Sequence, residues 1–194
     1  MKFPLLNTFK WMNLPSTYLH QMIGTPNFIQ RCDNLLSRNE CSDIINYVSD
    51  KLISDKNAHT QYEFYQPTNW GPELKPLQGA IAKLSKSYRK NYPEIDNLNI
   101  WDLEYLRIKK WAPGKHYSVW HSEHARECPF RVSSFLIYLS DNNSYTEFKR
   151  HGKVKTKLGR GIMFPAYFTH EHRGSICKNR MDRYIASGYF SFVN

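Results

Sequence analysis

The chain has 194 residues, a length that allows one sizeable hydrophobic core and excludes several large domains. Hydrophobic residues at 41% and charged residues at 23% exclude a disordered or fibrous protein and indicate a globular one. The formal net charge of +10 favours acidic partners, including nucleic acid, but the lysines are scattered, which favours a solvated basic surface over a dedicated site.

Signals for a membrane or for secretion are lacking. No apolar run approaches the ~20 residues that a membrane-spanning helix needs. The first residues show neither a continuous apolar stretch nor a small-residue cleavage site, so we expect no signal peptide. The cysteines follow no CxxC spacing and are too few for a disulfide framework. We therefore expect reduced thiols, no membrane partner and a cytoplasmic location.

Two helices are predicted in the first half of the chain. Residues 37–40 have the Ser-x-x-Glu form of a capping box, which closes the first turn of a helix. Apolar residues then recur at helical spacing, at Cys41, Ile44, Ile45, Val48 and Leu52. A second stripe, which ends before Pro93, consists of Leu77, Ile81, Leu84 and Tyr88.

From about residue 100 the pattern changes to strands. Short segments rich in β-branched and aromatic residues are separated by turn formers. The predicted strands cover residues 100–111, 130–139, 145–149, 153–158, 161–166 and 183–192. In the fourth, Val154, Thr156 and Leu158 alternate with lysines, which indicates one face in solvent. Such a series predicts a sandwich or barrel with the helices packed outside it.

The domain organisation follows from these elements. We find no repeat, low-complexity tract or linker, so residues 1–194 are expected to form one domain. Residues 1–95 would be a mostly helical support region, and residues 96–194 would form the strand-rich core. Residues 1–35 carry enough aromatic and apolar side chains to pack on that core.

His121-Ser122-Glu123 is the first candidate group for chemistry. Side chains two apart on a strand point to the same face, so the imidazole and the carboxylate can converge on one point. Such a pair forms two-thirds of a facial triad, which leaves open positions on non-haem iron(II). Taken alone, an HxE pair is more often a satisfied surface or core contact.

A third ligand must come from a distant segment, and residues 164–174 contain two candidates. His170 and His172 would share a face of an extended segment, so strand periodicity does not choose between them. Alternatively, His124 or His170 would complete a closed site with four protein ligands, as is typical of structural zinc.

The last predicted strand places Arg183 among apolar residues, four residues before Ser187 and on the same face. A buried arginine is costly unless it is paired, and its planar fork suits a carboxylate, with a hydroxyl beside it. The simpler interpretation is an internal ion pair with Asp182 or with a loop acid.

The order of these groups resembles the prolyl-4-hydroxylase-like branch of the 2-oxoglutarate/iron(II) dioxygenases. That family has HxD, then a distant histidine, then Lys or Arg. Here the corresponding residues are His121-x-Glu123, His172 and Arg183. Residues 172–174 (His-Arg-Gly) resemble the family's "HxG", which favours His172 over His170. Three further segments resemble its "PG…Y", "IYLN" and "GGxTxF" motifs, at residues 112–117, 135–140 and 145–148.

The resemblance, which covers about residues 101–192, implies the fold and the metal site. The fold would be α+β and mainly β, a double-stranded β-helix (jelly-roll) core with the N-terminal helices packed outside. His121, Glu123 and His172 would hold Fe(II) and form the catalytic centre. Family members that halogenate lack this acid, so Glu123 favours hydroxylation.

The resemblance also implies the co-substrate and the reaction. Arg183 would bind the distal carboxylate of 2-oxoglutarate, assisted by Tyr138 and Ser187. The expected cofactors are Fe(II), 2-oxoglutarate as co-substrate and O2, with ascorbate as an optional addition. The expected reaction hydroxylates an unactivated C–H bond in a prolyl residue of a peptide or protein and releases succinate and CO2.

Two other functions stay open. A nucleic-acid demethylase on the same fold predicts aromatic side chains that stack beside the iron, and binding that depends steeply on salt. A non-catalytic metal-binding jelly-roll module predicts a closed site instead.

The sequence departs from the family pattern in three places. Glu123 replaces aspartate and reaches one methylene further, Trp111 stands where relatives often carry a tyrosine that contacts the co-substrate, and Ser144-Tyr145 replace a doubled glycine. Candidate walls of the site, each of which would also suit a plain core, are Tyr117, Trp120, Phe148 and Phe168.

Overall fold

Two antiparallel β-sheets and two α-helices make up the computed structural model, which describes residues 27–56, 60–98, 101–177 and 181–192. The helices are α1 (Arg38–Ser49) and α2 (Lys75–Asn91). The strands are β1 (Gln30–Cys32), β2 (Ile53–Asp55), β3 (Tyr62–Tyr65), β4 (Trp101–Trp111), β5 (Arg131–Tyr138), β6 (Tyr145–Phe148), β7 (Gly152–Lys155), β8 (Gly161–Pro165), β9 (His172–Gly174) and β10 (Arg183–Phe192). Short 3₁₀ turns cover Pro72–Leu74, Pro93–Leu98 and Phe168–His170. In these ranges no helix has the length and apolar character to cross a bilayer.

The larger sheet has seven strands in the order β1-β8-β5-β10-β4-β3-β2, and the smaller has three in the order β7-β6-β9. Strand β10 lies at the centre of the large sheet between β5 and β4. Its register on β4 places Arg183 opposite Trp111 and Ser187 opposite Arg107. Because side chains alternate between the faces of a strand, these four residues project from the same face of the sheet.

Both helices form where the apolar stripes predict them. The Ser37 hydroxyl accepts a hydrogen bond from the Glu40 backbone N–H, and the Glu40 carboxylate accepts one from the Ser37 backbone N–H, so the capping box is confirmed. On α1 the stripe is buried at Cys41, Ile44 and Val48. On α2 the buried positions include the whole predicted stripe, and the helix ends shortly before Pro93.

The large sheet separates two hydrophobic layers. One layer lies between the helices and the outer face of the sheet, where Leu84 of α2 packs with Ile108, Ile137 and Ala186. The other lies between the two sheets, where Phe148 of β6 packs with residues of the inner face such as Tyr138 and Phe164. The burial of side chains on both faces explains why β5 and β8 have few polar residues.

The strands of the second half lie close to their predicted ranges, with two differences: β9 is a strand that the predicted ranges do not include, and β7 is shorter than predicted. Strand β7 ends at Lys155, although the alternation of lysines predicts that it continues to residue 158. The Thr156 N–H still donates to the Ser144 carbonyl in register with β6, and the chain turns after it, where the Arg160 N–H donates to the Lys157 carbonyl. The first half contains three short strands in addition to its helices, and they extend both edges of the large sheet.

Candidate metal centre and its cavity

Backbone hydrogen bonds bring the HxE segment and β9 together. The backbone N–H of His121 donates to the carbonyl of His172 over 3.2 Å, and the N–H of His172 donates back over 2.9 Å. Two residues further on, the Glu123 N–H donates to the carbonyl of Ala166, just beyond β8. Three separate segments thereby hold the two imidazoles and the carboxylate at one place between the sheets.

The three side chains present their ligand atoms to a common point. Glu123 Oε1 lies 3.4 Å from His121 Nε2 and 3.6 Å from His172 Nε2, and the ligand atoms of the three residues all lie within 4.8 Å of one another. Each imidazole donates its Nδ1 proton to a backbone carbonyl, that of Val119 at 3.0 Å and that of His170 at 3.1 Å. These bonds orient both rings so that each Nε2 faces the common point, as a metal ligand requires.

The electrostatics of the cluster favour the forms that bind a cation. Burial acts to raise the pKa of Glu123, but the hydrogen bond from His121 and the charges of His121, His172 and Lys109 lower it to about 2. Burial and the charge of His121 lower the pKa of His172 to about 4. At neutral pH the carboxylate is therefore ionised and His172 is neutral, as metal coordination requires.

The competing histidines are engaged elsewhere. His170 Nε2 lies 2.8 Å from the Asn27 carbonyl, and its Nδ1 lies 2.9 Å from the Thr169 hydroxyl. His124 Nδ1 contacts the carbonyl of Arg131 at 3.2 Å. The structure thus brings His172 rather than His170 to the HxE pair, and no fourth His, Cys, Asp or Glu in the described ranges completes a closed set.

Arg183 is 3% exposed and reaches the same cavity from the start of β10. Its Nη1 donates to the carbonyl of Ser175 over 3.2 Å, whereas its Nε is buried with no partner among the described residues. Asp182 pairs with Lys110 instead of Arg183, and no other acid within the described ranges forms an ion pair with Arg183. A side chain at Gly174 would begin 2.8 Å from Arg183 Nη1, which explains why a glycine follows His172 by two residues.

The other residues predicted to assist Arg183 lie at different depths. Ser187 lines the cavity. Tyr138 is fully buried and donates to the hydroxyl of Thr146 over 2.8 Å, and Thr146 rather than Tyr138 lines the cavity. Trp111 lies 5.6 Å from the Arg183 guanidinium carbon, and its buried indole N–H has no partner in the described part of the chain. Thr146 and Trp111 thus add two potential donors near Arg183.

A cavity of about 310 Å³ connects these groups. Beyond the predicted site residues, the side chains that line it are mostly cationic or aromatic: Tyr62, Arg107, Lys109, Trp111, Tyr117 and Tyr189. Burial lowers the pKa of Lys109 to about 8. The positive charges of Arg107 and Arg183 also act to lower this pKa, whereas the negative charge of Glu123 acts to raise it. The ammonium of Lys109 therefore remains mostly protonated at neutral pH.

The four candidate walls have different environments. The ring of Tyr117 lies 4.5 Å from that of His121, and Phe148 lies 5.6 Å from His172. Trp120 lies under the guanidinium of Arg173, outside the residues that line the cavity. Phe168 is 76% exposed. Tyr117 and Phe148 thus pack against the imidazoles. The prediction that Phe168 forms a wall of the site is wrong, because its side chain lies in solvent.

The sequence did not identify Arg107, Lys109 or Tyr189 as site residues, although it carried a signal. Arg107 and Lys109 alternate with the buried Leu106 and Ile108 on β4. That alternation shows that they share a face, but not whether the face meets solvent or a cavity. The second sheet, which encloses the face, becomes visible only in three dimensions.

Comparisons of sequence and of structure give different results. No family model matches the sequence, and no curated protein matches it. Among solved structures, the viral collagen prolyl hydroxylase of Paramecium bursaria Chlorella virus-1, in complex with 2-oxoglutarate, superposes with a TM-score of 0.62 at 20% identity. The match covers 86% of this chain and 97% of that chain.

Two cellular proteins are similar in the same way. A Pseudomonas putida prolyl-4-hydroxylase gives a TM-score of 0.66 at 12% identity, covering 87% of this chain and 94% of that chain. A Trichoplax adhaerens prolyl hydroxylase, bound to a peptide of the hypoxia-inducible factor oxygen degradation domain, gives 0.61 at 13% identity, covering 86% and 84%. At these identities the likeness shows that the chain shares the fold of these enzymes.

Proposed function

We propose that this chain is a 2-oxoglutarate- and Fe(II)-dependent dioxygenase of the prolyl-4-hydroxylase-like branch, and that it hydroxylates a prolyl residue in a peptide or protein. The observation that carries the proposal is the convergence of His121, Glu123 and His172 beside a buried arginine without an acidic partner among the described residues. The shared fold of three prolyl hydroxylases, one of them bound to a peptide, supports it.

The donor set fits iron(II). Two imidazole nitrogens and one carboxylate oxygen match the two-histidine, one-carboxylate set of non-haem iron oxygenases, which leaves positions free for other ligands. Glu123 fits this set despite its extra methylene, because its Oε1 already lies within 3.6 Å of both imidazoles. Closed structural zinc would need a fourth ligand, and the described residues offer none at this point.

The cavity fits a dicarboxylate. Arg183 Nε and the Trp111 indole N–H are buried without partners in the described ranges, and such donors are costly unless a ligand satisfies them. We propose that Arg183 binds the distal carboxylate of 2-oxoglutarate with Ser187, that Tyr138 orients Thr146 toward the same group, and that Trp111 replaces the tyrosine of relatives as a donor.

When bound, iron would supply, with 2-oxoglutarate and O2, the chemistry that converts a C–H bond to C–OH: one oxygen atom enters the product and the other enters succinate, and CO2 is released. The protein orients iron and 2-oxoglutarate and excludes water. The Nδ1 bonds of His121 and His172 to backbone carbonyls fix the imidazoles, and Phe164, with its ring 4.8 Å from that of His172, shields the centre from one side. The proposal includes residues 1–194 as one jelly-roll domain in the cytoplasm.

Metal binding tests the centre directly. We expect His121→Ala and His172→Ala each to weaken iron(II) binding under nitrogen by at least about 100-fold, because groups that only support a ligand already contribute about 10- to 100-fold. His170→Ala is the matched control, because that imidazole is bonded to the Asn27 carbonyl, and it should retain affinity. Isothermal titration calorimetry measures each constant.

Turnover tests the reaction. The wild-type protein with iron, 2-oxoglutarate and a proline-containing peptide should release succinate, and His121→Ala should not. Equal iron affinity in the His172→Ala and His170→Ala variants would contradict the proposed centre. Tight metal binding without any affinity for 2-oxoglutarate would favour a non-catalytic module.

A further inference from the structure

Two cations in the cavity are not among the residues proposed to hold the metal or 2-oxoglutarate. Arg107 and Lys109 project from β4 into the same space as the three proposed ligands. Within the described ranges neither forms an ion pair, whereas Lys110, on the other face of β4, pairs with both Glu63 and Asp182. Both cations are half-buried in the cavity, and cations withdrawn from water without anionic partners are unfavourable, so a missing anion is implied.

The formal charges of the proposed site strengthen this implication. The two positive charges of iron(II) and the one of Arg183 are balanced by the one negative charge of Glu123 and the two of 2-oxoglutarate. The co-substrate therefore leaves the charges of Arg107 and Lys109 unbalanced in a cavity where Glu123 is the one acid among the lining residues. The remaining molecule that enters the cavity is the substrate.

The position of Arg107 separates it from the co-substrate. Arg183 lies opposite Trp111, and Arg107 is four residues away along β4, or about 13 Å at ~3.3 Å per residue. The charge of Glu123 acts on Lys109, midway between these ends, and on Tyr189, which lies opposite Tyr105. An anion at Arg107 thus lies four residues along β4 from the end where Arg183 reaches the cavity.

Arg107 is already oriented for such an anion. Its Nε donates to the Tyr105 hydroxyl over 2.9 Å, its two terminal nitrogens donate to the hydroxyls of Tyr105 and Tyr62, and its guanidinium lies 4.7 Å from the ring centroid of Phe64. These bonds use three of the five N–H groups of a guanidinium and leave two for a ligand. A guanidinium held in this way loses little conformational entropy when it binds a planar carboxylate.

We propose that Arg107 and Lys109 form a carboxylate-binding subsite for the substrate, and that the preferred target is a peptide with an acidic side chain next to the hydroxylated residue. The inference rests on the proposed function and deepens it. A peptide carboxylate brings the negative charge that the co-substrate does not supply, and it reaches the cavity together with its neighbouring residue.

Peptide binding measured without turnover tests the subsite. The protein is loaded with iron and 2-oxoglutarate under nitrogen and titrated with labelled Pro-Glu and Pro-Gln peptides of otherwise identical sequence, with fluorescence anisotropy as the signal. We expect the acidic peptide to bind about 10- to 100-fold more tightly, as a charge-assisted hydrogen bond provides. Succinate release in air should show the same preference in kcat/KM.

Variants distinguish the contribution of these two cations from a general effect of the positive charge of the protein. Lys109→Met and Arg107→Leu should each reduce the preference to a few-fold or less, and Arg107→Lys should retain part of it. Lys155→Met, which removes an exposed cation on β7, should keep the full preference. In the described ranges Lys109 makes no hydrogen bond, so Lys109→Met decides the question even where Arg107→Leu fails to fold.

The outcomes distinguish the subsite from the enzyme. Equal binding of the two peptides by a wild-type protein that binds iron and 2-oxoglutarate would overturn the subsite alone. Failure of the wild-type protein to bind iron and 2-oxoglutarate would overturn the proposed function itself. A single-stranded oligonucleotide that displaces the acidic peptide and is itself turned over would show that the cations serve phosphates, and would overturn the peptide assignment.

Discussion

At the scale of single residues, the role of Arg183 depends on which partners its guanidinium finds in the folded protein. In the sequence, an internal ion pair was the simpler interpretation, and Asp182 was the nearest candidate. In the structure, Asp182 pairs with Lys110, and among the described residues Arg183 has no acidic partner and donates to the carbonyl of Ser175. A cation in this state destabilises the ligand-free protein and is stabilised by a carboxylate ligand.

Replacement of Arg183 by leucine should therefore have opposite effects on binding and on folding. Affinity for 2-oxoglutarate should fall by about 10- to 100-fold, because charge-assisted hydrogen bonds to the carboxylate are lost. Thermal stability without ligand should stay the same or rise, because an unpaired buried charge is removed. Calorimetric titration of the metal-loaded protein and thermal unfolding of the ligand-free protein measure the two effects.

Arg173→Leu is the control, since that guanidinium pairs with Glu147 outside the cavity. It should leave the 2-oxoglutarate affinity unchanged. An Arg183→Leu variant that binds 2-oxoglutarate as tightly as the wild-type protein would remove Arg183 from the site.

At the scale of elements, α1 is specified locally and the edge strands are not. The capping box and the apolar stripe of α1 depend on residues within a few positions of one another, and both are present in the structure. Strands β1 and β2 have three residues each, too few for an alternation to be recognised in the sequence. Strand β3 has four, and it still supplies Tyr62, which holds Arg107.

The cap of α1 gives a prediction for stability. Ser37→Ala should lower the free energy of unfolding by about 1 kcal/mol, because the Glu40 N–H loses its acceptor. Ser42→Ala in the same helix is the control, since its exposed hydroxyl bonds only the carbonyl of Arg38, one turn back, and it should change stability by less than about 0.5 kcal/mol. Urea unfolding measures both, and equal losses would show that the cap has no special role.

At the scale of the whole molecule, an ion pair joins the start of the described chain to the turn before β8. The carboxylate of Asp33, just after β1, accepts hydrogen bonds from Arg160 Nε over 2.6 Å and from Lys157 Nζ over 3.2 Å. The hydrogen bond from Arg160 is the main reason that the pKa of Asp33 falls from 3.8 to about 2. Beside it, Gly159 has a φ of +72° and its carbonyl accepts from the Leu35 N–H.

The stabilisation from Asp33 should depend on pH. A carboxyl whose pKa is lower in the folded state stabilises the protein above its unfolded value of 3.8 and loses this effect as the pH falls toward about 2. Asp33→Asn should thus be less stable than the wild-type protein by about 1 kcal/mol at pH 7, an amount that allows for solvent screening of a partly exposed pair. Urea unfolding at decreasing pH should show this difference shrink.

Asp50→Asn is the matched control, because Asp50 is 76% exposed and pairs only with its neighbour Lys51 in the described ranges. It should leave stability unchanged at any pH. A difference between the Asp33→Asn variant and the wild-type protein that stays constant with pH would contradict the role of the charge.

The sequence by itself determined both helices, the longer strands of the second half and the order of the chemical groups. Helical stripes, strand alternation and the spacing from His121 to Arg183 are properties of neighbouring residues or of chain order, so they can be recognised without coordinates. The tertiary structure decided which histidine lies beside the HxE pair and that Asp182 pairs with Lys110 instead of Arg183. It also decided that Arg107 and Lys109 face an enclosed cavity. These outcomes depend on long-range strand pairing and on the second sheet. That sheet encloses the face of β4 that carries Arg107 and Lys109, so this face lines the site instead of meeting solvent.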